Sequence, residues 1–235
     1  MRMHSEFSTP LTELPTFLST ISMVRDDRAA IIQSLIQAER KSPSVYEPSR
    51  DLFLRVLEGR LDFDRASTQA RRLNDEIERR CAIQILHASE HFLKNERPAR
   101  ISRLPNLDYV LPNGLHLNVS PIWLRHFDPS RLMVLHFWQT PLFDRQLAAA
   151  AAVLRTVLLE TLPQYSSCQI DFISVAFSQF SNRRQFGVYN WVKLTPLNDT
   201  ELHRFWAQFV EAWSQYQRME PREIKRKRAA TLFNR

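Results

Sequence analysis

Three groups of residues in this 235-residue chain have the types and spacing to do chemistry. His87, Glu90 and His91, in "HASEH", could offer two imidazoles to a zinc ion, with Glu90 as base toward a metal-bound water. Glu78, Asp108, Asp128 and Asp171 are carboxylates that could hold a divalent metal if the fold gathers them. Arg183 and Arg184 in "SNRRQ", with Lys225, Arg226, Lys227 and Arg228 in the basic C-terminal stretch, could neutralise phosphates.

Each group depends on the elements that carry it. Ile31, Leu35, Ile36 and Ala38 fall at helical spacing in a segment ending near Lys41. A short helix from Arg50 to Leu57 stops at Gly59. A long helix runs from about Asp64 to Asn95, with Ile77, Cys81, Ile85, Ser89 and Phe92 along one stripe. With Ile85 at zero and about 100° per residue, that stripe centres near 40°, while His87 and His91 fall at roughly 200° and 240°. The two histidines therefore belong to a solvated face, and no third ligand can be nominated for them.

After Pro105 the pattern becomes strands. Leu107–Leu111 and Leu115–Trp123 flank "PNG", where Asn113-Gly114 supplies the positive φ angles of a tight hairpin. Leu115, Leu117 and Val119 should face a core, leaving His116, Asn118 and Ser120 on the polar side. "RLMVLHFWQ" has the continuous apolar character of a buried central strand, and its His136 is expected to be a satisfied core imidazole. A helix rich in alanine follows Pro141, then the strands "CQIDFISVAF" and "FGVYNWVKL". Asn198 and Glu201 cap a last helix with Leu202, Phe205, Trp206, Phe209, Val210 and Trp213 on one face. The expected class is α+β with a three-layer α/β-like core: a helical N-terminal region, then β-β-β-α-β-β-α in a mixed sheet. The expected boundaries are a helical extension over 1–45, the core over 46–220 and a basic tail over 221–235.

The helix-hairpin-strand-helix-strand order from about Asp64 to Phe177 resembles the core of the PD-(D/E)XK nuclease superfamily. In that family a helix Glu, an Asp on the second hairpin strand and a Glu-x-Lys on the next strand hold Mg²⁺ and activate water. Here Glu76, Glu78 or Glu90 could match the helix position. The second strand has Asn118 where an acid is wanted, and the third has His136, Phe137 and Trp138. Mg²⁺ relies on hard carboxylate ligands, so the resemblance implies a degenerate member that kept the fold without the metal.

Composition narrows the alternatives. Three glycines leave no phosphate-cradling loop, dinucleotide fingerprint or nucleophile elbow. Two cysteines supply neither a disulfide framework nor a paired zinc motif. The most apolar run, "LAAAAAVL", is too short to span a bilayer, and no secretory signal is read at the N-terminus. These readings predict a cytoplasmic protein without a cofactor, acting by binding rather than catalysis. A protein partner is expected first and DNA or RNA second, the latter favoured by a net charge of +7. The enzymatic alternative is a metal-dependent nuclease using the displaced acids Glu78, Asp108, Asp128 and Asp171.

Overall fold

The computed structural model describes residues 14–38, 43–127, 129–137, 141–178, 183–190 and 194–220. Its helices are α1 (Phe17–Met23), α2 (Arg28–Ala38), α3 (Glu47–Leu57), α4 (Phe63–Arg71), α5 (Glu76–Asn95), α6 (Asp144–Thr161) and α7 (Asp199–Gln217). Its strands are β1 (Ile101–Arg103), β2 (Leu107–Val110), β3 (His116–Val119), β4 (Trp123–Arg125), β5 (Arg131–His136), β6 (Gln169–Phe177) and β7 (Arg184–Asn190). The main sheet has the order β1-β4-β5-β6-β7, and β2 with β3 forms a separate hairpin. Only β5 and β6 pair in parallel among these strands, with α6 as their crossover. The class is therefore α+β with a mixed sheet.

Strand alternation divides the core into two apolar layers. Leu132 and Val134 of β5, with Ile170 and Phe172 of β6, face α1, α2, α6, α7 and the hairpin. Met133 and Leu135, with Ile173 and Val175, face α3, α4 and α5. The helices at 17–38 are part of the first layer: Ile21, Ile31, Leu35 and Ile36 are fully buried. The Gln146 side chain ties that packing together, donating to the carbonyls of Ser22 at 3.2 Å and Val24 at 3.0 Å. The run Ala149–Ala152 is buried and lets α6 lie close to its neighbours.

Several boundaries differ from the sequence reading, each for a local reason. The long helix from Asp64 to Asn95 is two helices. Asp75 caps α5, its carboxylate accepting from the N–H groups of Ile77 and Glu78, each at 2.9 Å. Ile77, placed on the buried stripe, is 53% exposed as a result of lying in that first turn. The expected strand Leu115–Trp123 breaks at Pro121, which has no N–H for a ladder, so β3 and β4 join different sheets. β1 has three residues, too few to show alternation. The last helix behaves as its capping box predicts: Glu201 N–H donates to Asn198 Oδ1 at 3.0 Å and Asn198 N–H to Glu201 Oε2 at 2.9 Å.

Candidate functional site

A crevice of about 410 Å³ opens at the carboxyl end of β5. The first turn of α1 forms one wall, and the start of α3, from Tyr46 to Asp51, forms the other. Ligand sites in α/β sheets favour this location, because strand ends meet loops and helix ends there.

His136 lines the crevice and is 4% exposed. Its Nδ1 lies 3.1 Å from Ser174 Oγ, the residue opposite it on β6. Ser174 Oγ has no other partner among the described residues, so its hydroxyl proton is best placed on Nδ1. The neutral ring then carries its own proton on Nε2. Nε2 is buried without a hydrogen-bond partner among the described residues. Such a group costs about 1–3 kcal/mol when left unmade. The sequence expectation of a satisfied imidazole is thus correct for one nitrogen and not for the other.

Burial, reinforced by the nearby Arg184 charge, lowers the His136 pKa from 6.5 to about 4. The unfolded chain takes up this proton near pH 6.5, the folded chain only near pH 4, so acid favours unfolding. Stability is full above about pH 6.5, falls as pH drops toward 4, and loses about 3 kcal/mol over that window. Denaturation midpoints measured across this range should fall less steeply for His136→Gln than for the native chain.

Arg50, on the α3 wall, stacks over Trp123 with its guanidinium 5.7 Å from the ring centre. It is ion-paired with Glu47, while its buried Nε has no partner among the described residues. Arg103 donates to Asn106 Oδ1 at 3.2 Å, and Asp51 at the rim is engaged by Arg55 at 3.4 Å. Sequence reasoning missed Arg50 and Arg103 because arginines on a helix and a short strand look like ordinary surface charge.

A second recess, of about 300 Å³, lies at the opposite end of β5 and β6 and contains Asp171. Asp171 Oδ1 accepts from Gln169 at 3.1 Å and Asn190 at 3.0 Å, while Arg131 stands 3.9 Å from Oδ2. Beside it, the buried Arg125 donates twice to Glu96 Oε2, at 3.2 and 3.1 Å, and once to the Arg97 carbonyl at 3.1 Å. Its guanidinium also lies 4.3 Å from the centre of the Phe127 ring. An arginine beside Leu124 in an apolar strand was the available sequence signal for this network.

The structure does not bring Glu78, Asp108 and Asp171 together. Asp171 sits near Glu96 at the end of α5, whereas Glu78 is in its first turn, about 27 Å away at about 1.5 Å per residue. Asp108 lies on the hairpin in the other layer, exposed and paired with His116 across the strands. Asp128 is outside the described residues. Among the described residues, no three His, Cys, Asp or Glu side chains are placed to hold a metal. His87 and His91 are both exposed on α5, and Glu90 is engaged by Lys94 at 2.7 Å.

The basic candidates divide in a similar way. Arg183 is exposed at the start of β7. Arg184 turns inward, donating to the Val175 carbonyl at 2.8 Å and stacking 4.5 Å from the centre of Phe177. Lys225, Arg226, Lys227 and Arg228 lie outside the described residues. No helix among the described residues is long and apolar enough to cross a membrane.

Comparison with family models and with curated proteins gives no match for the chain.

Proposed function

We propose that this chain is a non-catalytic binding protein on a degenerate nuclease-like core, with another protein as its partner. The observation that carries this reading is the dispersal of the acids: Asp171 is committed to Gln169, Asn190 and Arg131, with Asp108 in another layer. A hydrolytic centre needs carboxylates converging on one metal, and here Asp171 and Asp108 each serve a separate hydrogen-bond or ion-pair contact instead. The three-layer core gives the proposed relation to the nuclease fold its support, although fold alone assigns no activity.

Nucleic-acid binding without cleavage is the second reading. Net charge +7 and the exposed Arg183 favour it. One experiment separates the readings: purified protein with labelled DNA and RNA, with and without Mg²⁺ or Mn²⁺, over a salt series. The protein-partner reading predicts neither cleavage nor a shifted band. A shift that weakens steeply with salt, and weakens further on removing residues 221–235, establishes the second reading. Metal-dependent cleavage abolished by Asp108→Ala or Asp171→Ala overturns both.

A further inference from the structure

We propose that the open edge of β7 pairs antiparallel with β7 of a second copy of this chain, joining the two main sheets across a two-fold axis. This self-association stands apart from the partner proposed above and uses a different surface from the crevice.

β7 ends the main sheet, with β6 as its only neighbour among the described strands. Ser178 N–H donates to the Arg183 carbonyl at 2.9 Å, which sets the alternation of the ladder that follows. Gln185, Gly187 and Tyr189 therefore turn their backbone groups toward β6. Phe186 and Val188 turn theirs outward, where neither the N–H nor the C=O has a partner among the described residues. Their side chains leave this edge open: Phe186 packs on Phe92 of α5, with ring centres 4.8 Å apart, and Val188 is 42% exposed.

Sheet edges are ordinarily blunted by shortness, proline, lysine or a bulge. The opposite edge, β1, has three residues. β7 has seven, in unbroken register with β6, and carries no proline, lysine or acid. Its one charged side chain, Arg184, is turned inward to the Val175 carbonyl at 2.8 Å.

The strand is complementary to itself. Its outward groups sit on even-numbered residues, so a two-fold pairing that uses the whole strand centres on Gly187. Phe186 of each copy then lies opposite Val188 of the other, exchanging both backbone hydrogen bonds with apolar side chains adjacent. Arg184 meets the neutral Asn190 and Gln185 meets Tyr189, so no like charges face each other across the pair. An isologous contact of this kind closes on itself as a dimer.

The test is sedimentation equilibrium of the full chain over a concentration series, in about 0.15 M salt, where the +7 on each copy is screened beyond about 8 Å. A monomer–dimer equilibrium is expected. Val188→Pro removes an outward N–H and leaves the hydrogen bonds to β6 whole. It should weaken the dimer about tenfold or more, since symmetry deletes two hydrogen bonds at once. If that variant does not fold, Val188→Lys should weaken the dimer in the same direction. Hydrogen exchange gives an independent readout: protection of the Phe186 and Val188 amides should rise with protein concentration. A monomer at every concentration overturns the proposal and leaves the edge to an extended segment of another protein. Unchanged dimer affinity in a folded variant overturns it too. So does amide protection that is the same at every concentration, as a segment of the same chain laid on the edge would give.

Discussion

Trp206→Ala should cost about 3–5 kcal/mol of folding stability. Trp206 has no exposed surface and sits where α7 meets the hairpin. Its ring lies edge-on to Phe205 at 5.1 Å and to Phe209 at 5.9 Å, with Tyr109 of β2 at 6.3 Å. Truncation opens a cavity that three aromatic neighbours on two elements cannot fill by small rotations. Equilibrium denaturation should show a lower midpoint with an unchanged slope. Ile77→Ala serves as the contrast, because a half-exposed side chain in a first turn should change stability by only about 0.5 kcal/mol. Similar losses in the two variants would contradict the layer assignment.

The second large effect is an asymmetry at the Arg125 network. Glu96→Ala leaves the buried guanidinium with a carbonyl and an aromatic ring but without its carboxylate, at a cost of about 3 kcal/mol. Arg125→Met removes the buried charge and fills its volume with apolar atoms, while Glu96, whose side chain is 34% exposed, regains water. That variant should lie within about 1 kcal/mol of the native chain. Comparing the two unfolding curves checks the claim. Equal losses would mean that the pair acts through shape rather than charge.

The parts of the fold that sequence made legible are those where one local signal dominates. The capping box at Asn198, the "PNG" hairpin and the apolar run of β5 all lie where expected, because turn chemistry and periodicity agree there. Helix breaks were harder to see. Asp75 with Glu78 three residues on is a start signal, but the apolar positions on either side keep helical spacing and mask it. Asp27 acts similarly at α2, its carboxylate accepting from Ala29 N–H at 2.9 Å.

The site was less legible still. His136 and Ser174 are 38 residues apart and meet only through the parallel register of β5 and β6. Arg50 reaches the same crevice from another layer, and no spacing rule links a helix to the end of a strand distant in sequence. Asp171 was visible as an acid in an apolar strand, but its commitment to Asn190 required the β6–β7 register.

The central claim, that Asp171 is structural rather than metal-binding, is tested most directly by calorimetric titration of the purified chain with Mn²⁺. Native protein and Asp171→Asn should give the same featureless heats, since Asp171 is already satisfied by side-chain donors. Saturable binding near one ion per chain, lost in Asp171→Asn while that variant remains folded, would contradict the account and return the chain to the metal-dependent nucleases.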